Sequence, residues 1–506
     1  MKIRMPRRRI WRVAIYSISF LLVLTAADMI LVQMRRTIHP GYDTTRITAP
    51  LQPDGSIDYL VAVDNRMSAG VTPDNNAAVL LLQAFGRKAL APKQPPDGVT
   101  DRLGMPHLPE QGDYFITHDE YTKQHPEWVR EDLTDMNYPF TWPTKVDDLT
   151  AHWVKDNTKA LSLVTQASRQ TRFFIPLFAG YRYETMIEVL LPHLLPFRDC
   201  ANALNARAIM RIKEGDMAGF RDDVVTAHRI ARLLSHQPTL IERLVAMHME
   251  KTTCEVERVA LDTGKFSGDQ ARALATELDA LGDFPSFTDA VDQGERVFAL
   301  DTLQALARQG PVRAGELLNA VLQQPDGGLA PPAVFRFVPI PYEALMRSVN
   351  QSNDRLLDIL QKPTYQSRIF SFKQWEQQIN AKRVEQLSVW DLMNKDWPMQ
   401  LFAPSMLKIL QTETTGQMER RLTQLALMLA AYKSDHGEYP ASLADLSPAY
   451  LATVPIDLFT EKPLIYSRVE NKYVLYSVGP NGEDDHGKKD DLVASTFVME
   501  TPPPKH

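Results

Sequence analysis

Near its C-terminus the chain reads Tyr432-Lys-Ser-Asp-His-Gly-Glu-Tyr-Pro440. Before that stretch, Leu422, Leu425, Leu429 and Tyr432 recur at helical spacing with Ala426 and Met428 beside them, which predicts a helix from about Thr414 to Lys433. Gly437 is placed to end it in a left-handed conformation, and Tyr439-Pro440 starts an extended link. Ser442-Leu443 and Leu446 suit a single helical turn, and Ser447-Pro448 opens another that ends at Tyr450-Leu451. Pro463-Leu-Ile-Tyr466 and Lys472-Tyr-Val-Leu-Tyr-Ser477 then alternate as two strands around a turn at Glu470-Asn471. Gly479-Pro-Asn-Gly-Glu-Asp-Asp485 must be a loop. A small α+β module is expected over residues 412–500.

Upstream, the pattern is mainly α. Val71-Thr-Pro-Asp74 opens a helix, with Thr72 as its cap and an apolar run from Ala77 to Leu90. Residues 91–148 are rich in Pro, Asp, Tyr and Trp without a clear period, and read as a long surface excursion with short helices near Glu120 and Glu127. From about 149 to 310 the helical period is plain. Phe220, Val224, Ala227, Ala231 and Leu234 share a face, and Gly215-Asp216 separates their helix from the one before it. Ser267-Gly-Asp-Gln270 reads as a capping box, and Gly310-Pro311 stops a helix that begins near Ser286. After a Pro/Gly-rich break, further helices are expected at about 342–361, 370–390 and 398–411. No fixed repeat period is present, so residues 76–411 are expected to form an irregular α-helical array. In the juxtamembrane segment 33–75 a short strand is expected at Tyr59-Leu-Val-Ala-Val63.

The N-terminus differs in kind. Lys2, Arg4, Arg7, Arg8, Arg9 and Arg12 precede an apolar run from Val13 to Val32, broken by Asp28 and small hydroxyl residues. At a helical rise that run covers roughly 30 Å, the thickness of a bilayer core. Basic residues are concentrated before it and only Arg35 and Arg36 immediately follow, so residues 1–9 should form a cytoplasmic tail and residues 10–32 a transmembrane anchor, with the bulk exported. The rival is a signal peptide cleaved near Thr25-Ala26-Ala27. The expected location is the inner membrane, single-pass, with a periplasmic body.

Across 506 residues the net charge is -6, which gives no global pull toward nucleic acid. Cys200 and Cys254 are the only cysteines; export permits a disulfide between them, and the alternative is two buried small residues. His107, His118, His125, His152, His193, His228, His236 and His248 are scattered without metal-ligand spacing. His118-Asp-Glu120 reads as a solvent-facing loop, and His248, between Met247 and Met249, as a core or interface histidine. No nucleophile elbow, phosphate loop or dinucleotide fingerprint is present. Arg207, Arg211, Arg229, Arg232 and Arg243 are balanced by Glu214, Asp222, Asp223 and Glu242, which reads as a salt-bridged helix surface.

The C-terminal residues resemble the periplasmic domain of the major pseudopilins of type II secretion. The likeness rests on Tyr432, Asp435, Gly437, Tyr439, Pro440, Leu443, Leu446, Tyr450, Leu451, Pro455, Asp457, Pro463, Tyr466, Tyr473, Tyr476, Ser477, Gly479, Gly482 and Asp484, in that order, within residues 414–495. The N-terminal apolar run lacks the family's leader pattern and is not continuous with the module. The resemblance therefore implies a folded unit used for binding or docking, not a fibre subunit. It also implies calcium in the acidic loop, with Asn481, Glu483, Asp484, Asp485, Asp490 and Asp491 as oxygen donors; Lys488 and Lys489 lie in the same stretch and oppose it, and the alternative is a solvated charged loop. The expected function is a non-enzymatic envelope scaffold that binds another envelope protein, linked by the resemblance to type II secretion or a pilus-like system. The alternative is an exported hydrolase or metal-dependent enzyme whose residues meet only in the fold.

Overall fold

The computed structural model describes residues 38–90, 96–128, 147–177, 186, 191–310, 316, 340–379 and 397–494. The expected tail and anchor, residues 1–32, lie outside them. Among the described residues, no helix is long and apolar enough to cross a membrane. The described chain is mainly helical, as its periodicity predicts.

Twelve of its helices organise the molecule: α1 (Tyr59–Ser68), α2 (Ala77–Phe85), α3 (Asp148–Asp156), α4 (Thr158–Ala167), α5 (Leu194–Glu214), α6 (Met217–Ser235), α7 (Leu240–Asp262), α8 (Gly268–Ala280), α9 (Arg296–Gln309), α10 (Tyr342–Leu360), α11 (Tyr365–Ile379) and α12 (Trp397–His436). Shorter helices at His118–Gln124 and Pro126–Trp128 stand where Glu120 and Glu127 suggest them. The strands are β1 (Ile465–Val469), β2 (Lys472–Ser477) and β3 (Leu492–Val493), an antiparallel sheet in that order. Tyr466 faces Leu475 in the first pair, and Tyr476 faces Val493 in the second.

Local chemistry explains most of the helix ends. Asp216 accepts from the Gly219 N–H and starts α6. Capping boxes at Thr239/Glu242 and Ser267/Gln270 start α7 and α8. Each satisfies two backbone donors that a bare helix terminus would leave without partners. Gly437, at φ +81°, ends α12.

Three expectations are corrected. The strand expected at Tyr59–Val63 is the first turn of α1, because the Asp58 carboxylate caps it at the Val61 N–H and Tyr59 and Val63, four residues apart, bury the same face. The cap of α2 is Asn76 rather than Thr72. Its side-chain oxygen accepts from the Ala78 and Phe174 N–H groups, and its amide donates to the Phe174 carbonyl. The helices expected at 398–411 and 414–433 are one, α12, so the line drawn between residues 411 and 412 falls inside a continuous rod roughly 60 Å long.

Three apolar cores result. The first is aromatic: Phe85, Phe115, Trp153, Phe173 and Phe197 meet edge to face or at a tilt between α2, α3, α4 and α5. The third joins α1, α9 and α10 through Val63, Leu300 and Met346. The second explains α12. Leu422, Leu425, Ala426, Leu427, Met428 and Leu429 are all buried, because α7 and α8 cover one side of the rod and the sheet covers another. The sheet residues Tyr473 and Leu475 share this core with Val256 and Ala260 of α7.

Candidate functional site

The acidic loop lies between β2 and β3. The structure brings Asn481, Asp485 and Asp490 together: the Asn481 amide donates to Asp485 at 3.0 Å and to Asp490 at 2.6 Å. Asp484 accepts instead from the Tyr476 hydroxyl at 3.0 Å and the His486 N–H at 2.9 Å. Glu483 donates its backbone N–H to the Asn481 side chain. Lys489 sits 2.5 Å from Asp485 and holds that carboxyl below its usual range. Asp491 accepts from the Gly487 N–H, yet its other oxygen is buried without a partner among the described residues, and burial raises its carboxyl.

A second polar cluster is buried where α6, α7 and α12 meet. The centre is His228 of α6, 1% exposed. Its Nδ1 lies 2.8 Å from Glu250 and its Nε2 lies 3.3 Å from Glu257, both on α7. Arg232, one turn along α6, also pairs with Glu250 at 3.0 Å. One turn beyond Cys254, Arg258 reaches Glu419 of α12 at 2.7 Å and the Thr423 hydroxyl at 2.9 Å. Cys254 Sγ, a His228 ring nitrogen and a Glu257 oxygen lie within 4.8 Å of one another, the one such group of potential metal ligands among the described residues, and Nε2 is the nitrogen that faces Glu257.

The electrostatics follow from burial and pairing. Burial opposes charge on the His228 imidazole, but Glu250 and Glu257 outweigh it and raise the group. Burial works against the Glu250 carboxylate too, yet His228 and Arg232 hold it down. Burial pushes the Cys254 thiol well up. Among the described residues, neither Glu257 oxygen has a hydrogen-bond partner, and neither does His228 Nε2, whose contact with Glu257 is poorly directed. Orphaned buried polar atoms of this kind are costly unless something satisfies them.

Sequence spacing did not single out this cluster. Glu250, Cys254, Glu257 and Arg258 fall at i, i+4, i+7 and i+8, which puts ionisable groups on the same stripe of α7 that carries the buried Met247 and Leu261. That misplaced polarity was the available signal.

The remaining candidates are structural. His118 packs edge-on against Trp153, and its backbone N–H donates to Asp199; Glu120 pairs with Lys88. Several of the arginines are held inside the fold and not on a helix surface: Arg207 and Arg211 converge on the buried Asp223, Arg232 pairs with Glu250, and Arg243 donates to the Ser286 carbonyl. Arg229, Arg232 and His236 line an open basic groove of about 570 Å³ with Arg169 and Gln170. Cys200 and Cys254 are both buried and free, so the expected alternative to a disulfide is the one found.

Compared with known proteins, the chain has no significant match to a family model, a curated protein or a solved structure.

Proposed function

We propose that this chain is a single-pass, membrane-anchored envelope protein, held through residues 10–32 with its body in the periplasm. In this reading it is a non-enzymatic docking scaffold that binds an envelope partner of a type II secretion or pilus-like system. The observation that carries the reading is the use made of the residues behind the resemblance. The Tyr450 hydroxyl donates to Asp435 at 2.7 Å, and the Tyr466 hydroxyl donates to the Pro440 carbonyl. Tyr439 packs on Tyr473, and Asp457 accepts from the N–H groups of Phe459 and Val478. These residues tie the end of α12 to the strands and the strands to the loop as one framework, which supports the reading.

Calcium belongs to the same reading, with Asn481, Glu483, Asp484, Asp485, Asp490 and Asp491 as candidate donors. The unpartnered oxygen of Asp491 supports it, and the Lys489–Asp485 pair would have to open. Alkaline phosphatase fused after His506 tests the topology: activity in intact cells is expected, and activity only in a cytosolic reporter at the same position overturns the proposal. For the loop, millimolar calcium should raise the melting temperature of the full chain, and Asp490→Asn should remove the rise.

A further inference from the structure

We propose that His228 Nε2, Cys254 Sγ and the Glu257 carboxylate form a binding site for a transition-metal dication, zinc by the chemistry of the donors, that staples α6 to α7. The geometry comes first. The three donors converge to within 4.8 Å, and each residue is no more than 1% exposed. Zinc bonds to nitrogen, sulfur and carboxylate oxygen are about 2.0–2.3 Å long, so only a small contraction closes the set around an ion. Imidazole, thiolate and carboxylate together suit zinc better than calcium or magnesium.

The orphaned atoms come second. Buried Glu257 presents two oxygens without a hydrogen-bond donor among the described residues, facing His228 Nε2 at 3.3 Å, which likewise makes no hydrogen bond among them. A cation at this point satisfies all three atoms. Glu250 holds the opposite ring nitrogen at 2.8 Å, the carboxylate–histidine arrangement that orients a metal-bound imidazole, and Arg232 in turn fixes Glu250.

A dication binds a neutral imidazole nitrogen and a thiolate, so the Cys254 thiol proton, and any proton on His228 Nε2, leaves to solvent as the ion enters. The Arg232–Glu250 and Arg258–Glu419 pairs beside the donors are already matched and need not change.

The test uses the full chain expressed in minimal medium supplemented with zinc or, separately, with cobalt, so the ion is present as the chain folds. A single ion per chain by elemental analysis is expected, and the cobalt form should show a near-ultraviolet thiolate-to-cobalt absorption. Cys254→Ser should abolish that band, Cys200→Ser should leave it, and Glu250→Gln should weaken retention about 10–100-fold. Absence of stoichiometric metal from the wild-type chain in both media, or a cobalt spectrum that survives Cys254→Ser, overturns the site and leaves a purely ionic cluster. The outcome is independent of the topology test.

Discussion

Asp301 offers the most direct check on the physical reasoning. It sits in the core between α1, α9 and α10, where its carboxylate accepts from the Met186 N–H and has no cation paired with it among the described residues. Burial raises its pKa from 3.8 to about 6; the hydrogen bond from Met186 and the charge of Arg308 oppose that rise, and Asp58 adds to it. The folded chain therefore holds this proton more tightly than the unfolded chain does. The associated stability is fully present below about pH 4 and is lost as pH rises through about 6. By pH 8 the loss amounts to about 3 kcal/mol. Asp301→Asn keeps a carbonyl-type acceptor for Met186 and removes the ionisation. The variant should match the wild type near pH 4 and be more stable by about that amount at pH 8. Urea unfolding of both proteins at intervals from pH 4 to 8 reads the difference directly. A difference that stays constant across that range, or grows toward acid, refutes the account.

Other perturbations address separate parts of the fold. Gly294 lies against the Pro238 carbonyl in the turn before α7, where an added Cβ would collide with backbone, so Gly294→Ala should lower stability by about 1–3 kcal/mol in chemical denaturation. Arg258→Met leaves Glu419 buried and unpaired and should cost about 3–5 kcal/mol, whereas the double change Arg258→Met/Glu419→Leu should recover most of the loss, as read by a double-mutant cycle. Both thiols are enclosed and raised by burial, so a thiol reagent should label the native chain slowly and two sites rapidly in denaturant, with no change on prior reduction.

Much of the local structure was legible because it is set by neighbours in sequence. The cap at Ser267, the turn at Gly215-Asp216 and the stop at Gly437 each depend on groups within four residues, and each forms where the letters place it. Tyr59–Val63 misled because a short β-branched and aromatic run fits either period, and the Asp58 cap decided for helix. The join of two expected helices into α12 was hidden for a different reason. Buried on several sides, that helix has little contrast between faces, so its pattern looks interrupted where its neighbours change.

The buried cluster shows where sequence reading stops. Glu250, Cys254, Glu257 and Arg258 could be seen to lie on one side of a helix, but His228 lies 22 residues from Glu250, and Glu419 lies 161 from Arg258. Their meeting depends on how α6, α7 and α12 cross. The amino-acid sequence by itself determined the mainly helical character, several of the helix ends and the hairpin turn, because backbone hydrogen bonding and apolar periodicity act over a few residues. Only the tertiary structure decided which charges were buried together, since burial turns a weak surface pair into a strongly coupled one and depends on elements distant in the chain.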